Sequence, residues 1–291
     1  MPDMALIPAE KLKRYRDATF RFRPDLRIRH KNEAVAFANE RGFIFFWPIK
    51  NIPFPSLWGA VAGDRPVPNS HNDPAHITWR WKDDLLGKNR CYYAKVLRGK
   101  STIISLDLLP DFYALSPNFG SPEEDVLISY QDGKLSVDEK NIFDILAAEG
   151  PLDSVSLRNL AGFSSDQNAY RFNRALTLLQ RDFRICPIGT AEAGAWNYAF
   201  VYDVFHRQHP HVLERSRQIA ESQALKNIIK IFLLSIGSAD LSLMNRLFPY
   251  PSASIKRALS SLLENSFLVF PTRIEGEKGE WYTIHHLINP G

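Results

Sequence analysis

Across 164–183 the apolar positions recur at helical spacing, and Phe172, Ala175, Leu176, Leu179 and Phe183 form one stripe. The opposite face carries Gln167, Tyr170, Arg174, Thr177 and Arg181, with Arg171 and Asn173 on its flanks. A helix of this kind packs one side on a core and offers the other for hydrogen bonding, stacking and neutralisation of phosphate. The flanking pattern adds two shorter helices before it. One runs over 137–148 and turns Ile142, Ile145 and Leu146 inward; the other follows Gly150-Pro151 and covers 156–160. After the long helix come an extended piece at 184–188, a turn at 189–194 and a strand at 196–202.

Helix, helix, helix, hairpin is the order of a winged helix, in which the third helix commonly enters a DNA groove and the hairpin rests on the backbone. The C-terminal region echoes it. Arg174-Ala175-Leu176-Thr177 recurs as Arg257-Ala258-Leu259-Ser260, and Ser156-Leu157-Arg158-Asn159-Leu160 has a counterpart in Ser242-Leu243-Met244-Asn245-Arg246-Leu247. The second copy has Ile255, Ala258, Leu259, Leu262 and Leu263 as its stripe and Lys256, Arg257, Ser260, Ser261 and Glu264 outside. Glu264 stands where Arg181 stands in the first copy, and Glu275, Glu277 and Glu280 load its hairpin with negative charge. Packing or dimerisation is as good a role for this copy as DNA contact.

Ahead of these modules the pattern predicts a helix from Asn32 to Glu40 stopped by Gly42, then an aromatic segment, GFIFFWPIKNIPFPSLWGAVAG, over 42–63. Its start at 43–47 reads as a buried strand, and 56–62 as a short helix. A polar loop over 64–74 contains His71 and Asp73. A helix over 76–86, a hairpin of 92–96 with 101–106 about Arg98-Gly99-Lys100, a helix over 108–115 and a loop over 117–125 follow. Gly99-Lys100-Ser101 lacks both the first glycine and the following helix of a phosphate-binding loop. The connector at 205–217 holds His206, His209 and His211, but no cysteine or carboxylate cluster completes a metal site. Pro210 interrupts any regular helix there, so a solvated loop is expected. The expected fold is α+β and mostly helical, with tandem winged-helix modules and β-hairpin wings. Its divisions are an aromatic-rich, winged-helix-like region at 1–123, a central winged helix at 124–212 and a C-terminal one at 213–291.

Composition narrows the class. The chain has 291 residues, 45% hydrophobic and 23% charged, as in an ordinary folded protein, and no apolar run long enough to span a bilayer. The first residues lack an apolar signal core, so a cytoplasmic protein is expected. Cys91 and Cys186 support neither a disulfide framework nor a zinc pattern and read as small buried hydrophobes. The net charge of +4 is modest, yet nine basic residues between Lys11 and Lys31 face only Asp17 and Asp25, with Tyr15, Phe20 and Phe22 interleaved. That stretch suits phosphate contact with stacking, and equally a half-buried strand.

With helix-turn-helix modules in tandem and GFIFFWPIKNIPFPSLWGAVAG before them, the chain resembles the AlkZ/YcaQ family of winged-helix DNA glycosylases, in particular its AlkZ-related branch. The resemblance implies tandem winged helices around a DNA-binding channel. The family's glycosylases carry Gln-x-Gln or Gln-x-Asp shortly after a glycine-led apolar strand, to position the attacking water. Counted from Gly42, those positions here are Phe45 and Trp47, and the family's later Trp-x-His stands as Trp79-Arg80-Trp81. An aromatic ring cannot polarise water as an amide or carboxylate does. The resemblance therefore carries over fold and DNA binding but no catalytic residue.

Three readings follow. The first is a cytoplasmic protein binding double-stranded DNA, as a reader of damage or a regulator, without cofactor, metal or membrane. Its contact residues are Gln167, Tyr170, Arg171, Asn173, Arg174 and Arg181, with Lys256 and Arg257 in the second copy. Arginine and lysine would anchor phosphates, and Asn173 and Gln167 would read base edges. The second is a repair glycosylase using a different acid, such as Asp73, Asp83, Asp84 or Asp111, beside walls made by Trp47, Trp58, Trp79 and Trp81. The third is a scaffold whose winged helices bind other proteins.

Overall fold

The computed structural model describes residues 4–70 and 72–288, and His71 falls outside them. The first elements are β1 (Ala5–Ile7), α1 (Ala9–Thr19), α2 (Lys31–Arg41), β2 (Phe43–Phe45), α3 (Leu57–Ala62), α4 (Ile77–Leu85), β3 (Tyr92–Lys95), β4 (Ser101–Ile104) and α5 (Leu109–Ala114). There follow α6 (Pro122–Gln131), α7 (Val137–Glu149), β5 (Leu152–Asp153), α8 (Ser154–Leu160), α9 (Ala169–Arg181), β6 (Ile185–Ala191), β7 (Ala199–Val204), α10 (Phe205–Gln208) and α11 (Pro210–Ser216). The chain closes with α12 (Glu221–Ile236), β8 (Ser238–Ala239), α13 (Leu241–Leu247), α14 (Ser252–Glu264), β9 (Leu268–Ile274), β10 (Trp281–Ile284) and α15 (His285–Ile288). This is a mixed α and β fold with small sheets. It forms two compact units, one of Met1–Trp79 with Glu221–Gly291, the other of Arg80–Ala220.

In the unit Arg80–Ala220, local signals set the helix ends. Ser136 and Glu139 close a reciprocal capping box at the start of α7, and Gly150 ends it. Asp153 accepts the Val155 and Ser156 amides at the start of α8. The Ser156 hydroxyl and these amides hold the Asp153 carboxyl below the usual range. The stripe of α9 closes on a core with Ile142, Phe143 and Leu146 of α7, Leu157 of α8 and Ile185, Tyr202 and Val204 of the sheet. That sheet has the order β5-β7-β6, all antiparallel, with Leu152 opposite Tyr202 and Cys186 opposite Asp203. β6 runs on to Ala191, so the turn comes later than glycine placement suggests. The register shifts between Pro187 and Gly189, and the bulge absorbs both a residue with no N–H and a glycine inside the strand. Gly87, at a φ of 65°, lets the chain after α4 pass close to this sheet: a Cβ there would lie 2.4 Å from the Ile188 carbonyl oxygen.

Two expected loops of this unit are helical. Pro122 opens α6, where Asp125 accepts the amides of Phe119, Gly120 and Ser121 at 2.8, 3.0 and 3.2 Å. Pro210 likewise opens α11 instead of breaking a helix, because the first turn needs no N–H from it. Phe205, His209, Val212 and Leu213 are consequently buried, and the histidine connector belongs to the core.

In the unit of Met1–Trp79 with Glu221–Gly291, the basic N-terminal stretch opens as the helix α1 and not as a strand. Its Arg16 donates from Nε and Nη2 to the carbonyls of Ile236 and Ser238, each at 3.0 Å, and the Tyr15 hydroxyl donates to Leu234 at 2.6 Å. These donors satisfy two carbonyls at the C-terminal end of α12, Leu234 and Ile236, that have no helical partner, and one on β8. Burial brings the Arg16 guanidinium down to about 10, so it is still a cation at neutral pH, and its hydrogen bonds to the Ile236 and Ser238 carbonyls engage it within the fold. α2 starts one residue earlier than Asn32 suggests, with a capping box between His30 and Glu33. A four-stranded sheet of order β1-β9-β10-β8 pairs β1 parallel to β9, Ala5 opposite Thr272. The stripe of α14, Ile255, Ala258, Leu259 and Leu262, is buried.

His209 gives the Arg80–Ala220 core a pH dependence. It is buried against Phe205 and Tyr92, at ring separations of 5.0 and 5.5 Å, and its Nδ1 has no hydrogen-bond partner among the described residues. Burial brings it down to about 4, so it stays neutral in the fold while the unfolded chain takes up a proton near 6.5. Its contribution to stability is therefore complete above about pH 6.5 and is lost as pH falls toward 4. The variant His209→Phe should lose less stability than the wild type over that window in urea unfolding. Parallel curves would contradict the assignment.

Candidate nucleic-acid interface

The sequence-predicted contact residues of α9 and its approach are all at the surface. Tyr170 is 74% exposed, and Arg171, Asn173, Arg174 and Arg181 are exposed beside it. Gln167 is exposed too, but it lies in a short 3-10 turn, Asp166–Asn168, and not in the helix itself.

Their charges are not equivalent. Arg171 makes a two-pronged pair with Asp138, at 3.0 and 2.6 Å, and lies over the Phe163 ring. Arg181 does the same with Asp182, at 2.7 and 2.9 Å, which raises its proton affinity further. Arg174 makes no hydrogen bond or ion pair among the described residues. Ser136, Asp138, Glu139, Tyr170, Arg171 and Arg174 line a cleft of about 230 Å³ beside the helix. An incoming phosphate would meet Arg174 free and would compete with carboxylates for Arg171 and Arg181.

The structure adds cations that the helix pattern alone does not reveal. The turn between β3 and β4 packs on the same side of α9. A Cβ on Gly99 would sit 3.1 Å from the Thr177 methyl, the Lys95 amide donates to Gln180 Oε1 at 3.2 Å, and Lys95 Nζ reaches Thr177 Oγ1 at 3.4 Å. Gln180 is buried, and its other end donates to Leu176 at 3.0 Å, so it ties the hairpin to the helix. Exposed Arg98 and Lys100 are thereby carried beside Thr177, one helical turn from Arg174. In the sequence this turn reads as a defective phosphate loop, and in the structure it sets two exposed cations beside α9.

The β6–β7 hairpin carries Trp196 at its tip, 90% exposed. Its base is fixed by a latch to α4. The Lys82 ammonium, buried, lies 4.3 Å from the Phe200 ring centroid, 2.7 Å from the Tyr198 hydroxyl and 2.7 Å from an Asp83 oxygen. The Tyr198 hydroxyl in turn donates to Asp83 at 2.8 Å. Burial lowers the lysine's proton affinity against the pull of Asp83, and burial together with the carboxylate raises that of Tyr198. Asp83 is thus a structural acceptor and carries no free carboxylate.

On the other unit, Lys256 and Arg257 are exposed on α14, with Arg257 donating to Ser254 at 2.9 Å. Phe45 is buried in β2 and Trp47 is half-buried. Trp47 meets Trp79 at a ring separation of 6.1 Å, so two segments apart in sequence bring their indole rings together. Among the described residues no group of three or more metal-ligating side chains is present, and no helix is long and apolar enough to cross a membrane.

A profile of the family described as AlkZ related matches residues 28–249. Among solved structures, the Streptomyces sahachiroi DNA glycosylase AlkZ is similar, with a TM-score of 0.58 and 13% identity over 95% of this chain and 70% of that one. At that identity the likeness is one of fold. No curated protein matches the sequence. The profile covers well over half of the chain, and the chain belongs to the AlkZ-related family.

Proposed function

We propose that this protein binds double-stranded DNA through a winged helix formed by α7, α8, α9 and the β6–β7 hairpin. The observation that carries the reading is the division of α9: its apolar stripe is buried, and its outer face is polar and basic beside the turn bearing Arg98 and Lys100. In this reading α9 approaches the groove, with Arg174, Arg98 and Lys100 on phosphates. Arg171 and Arg181 join when phosphate displaces their carboxylates, and Asn173, Gln167 and Tyr170 lie nearest the bases. Trp196 and the hairpin tip rest on the backbone as the wing. The second module, α12 to α14 with β9 and β10, is a further winged helix whose Lys256 and Arg257 make a weaker contact beside the acidic hairpin. A protein-interaction scaffold would show no nucleic-acid affinity.

Fluorescence anisotropy with a short labelled duplex, titrated across salt, tests this. The wild type should show a steep fall in affinity with salt. Replacing Arg98, Lys100 and Arg174 together by Ala should weaken binding by about tenfold or more and flatten the slope by roughly 0.9 for each phosphate no longer neutralised. An unchanged slope would remove α9 from the interface.

The convergence of Trp47 and Trp79 favours a second reading, a repair glycosylase that does its chemistry with an acid other than the family's. Asp73 is held by Arg65 at 2.7 Å and Asp83 by Tyr198, while Asp111 is buried. Release of free base from alkylated duplex, abolished by changing Asp73, Asp83, Asp84 or Asp111 singly to Asn, would establish it. No release across a broad lesion panel is the outcome expected from the replacement of the Gln-x-Gln pair by aromatic rings.

A further inference from the structure

Within Met1–Trp79, four rings gather about Trp47. Its centroid lies 5.0 Å from Phe46, 5.8 Å from His76, and 6.1 Å from both Trp58 and Trp79. Here Trp58 is fully buried, Trp47 half-buried and Trp79 45% exposed, with Ile77 beside it 39% exposed. The cluster thus opens from a closed floor to a wet indole surface.

Two further observations separate it from packing alone. The Trp58 indole N–H is buried with no acceptor among the described residues. Above the same ring lies the Arg65 guanidinium, 4.9 Å from its centroid and held by Asp73 at 2.7 Å, so a cation is fixed at the margin of the rings. Lys50, exposed, follows Trp47 by three residues.

We propose that this cluster is a stacking site for an unpaired nucleobase, with Trp79 and Trp47 as the platform and Arg65 and Lys50 taking the adjoining phosphates. A base is the flat, apolar-faced group that rings with cations at their edge recognise, and stacking on them is tolerant of which base it is. The site holds a base without a water-positioning amide beside it. Its output is recognition of an extrahelical or single-stranded base and not hydrolysis. A hydrophobic partner protein would use the exposed indole but would gain nothing from the flanking cations.

The inference rests on the DNA-binding reading, and the test separates the two. Affinity is measured by anisotropy for a fully paired duplex and for the same duplex carrying one extrahelical adenine. The wild type should prefer the bulged duplex by about tenfold. Trp79→Ala, at an exposed position, should abolish that preference while leaving the paired duplex unaffected, and Trp79→Phe should restore most of it. Arg174→Ala should weaken both duplexes alike. Equal wild-type affinity for the two duplexes, or a preference that survives Trp79→Ala, overturns the stacking site while DNA binding stands. Binding to neither overturns both.

Discussion

Burial of one stripe of α9 decides what the rest of its surface is for. Phe172, Ala175, Leu176 and Leu179 are in the core of the Arg80–Ala220 unit, and removing such side chains from water is worth roughly 1.5–3 kcal/mol for each large one. With the helix turned by that constraint, Tyr170, Asn173, Arg174 and Arg181 have nowhere to point but outward. The same packing requires the caps at Ser136 and Asp153, which start α7 and α8 where the core needs them, and Gln180, which brings the β3–β4 turn alongside.

The basic residues of this face differ in how far the fold already engages them. Arg171 and Arg181 are each held in a two-pronged pair by a carboxylate that is largely covered, so an incoming phosphate has to displace a charge-assisted partner. Elsewhere the protein commits basic residues to structure. Arg16 closes the end of α12, and Lys82 latches the hairpin through an aromatic cage and Asp83. A count of lysine and arginine cannot tell these uses apart, and burial can.

That distinction explains what is legible in the chain alone. The helix–helix–helix–hairpin order, the stripe of α9 and the buried strand at β2 follow from local periodicity and are seen in the structure. The helices at 122–131 and 210–216 are hidden in the sequence because proline reads as a breaker, whereas at the first helical turn it is an initiator. The basic stretch after Lys11 alternates like a strand, but α1 forms there because Leu12 is buried and Arg16 finds carbonyls more than 200 residues away, a partner no local window contains. The Arg98-Gly99-Lys100 turn and the meeting of Trp47 with Trp79 depend on contacts between distant segments. The sequence groups Trp47, Trp58, Trp79 and Trp81 as candidate pocket walls, and the structure gathers the first three about one ring.

The central claim is that α9, with the β3–β4 turn and the β6–β7 hairpin, is the face presented to DNA. The most direct measurement is amide NMR of the protein titrated with a short duplex at low salt. The expected result is that shifts concentrate at residues 167–181, 98–100 and 192–198, with smaller ones on α14. Shifts confined to other surfaces, or none at saturating duplex, would contradict it.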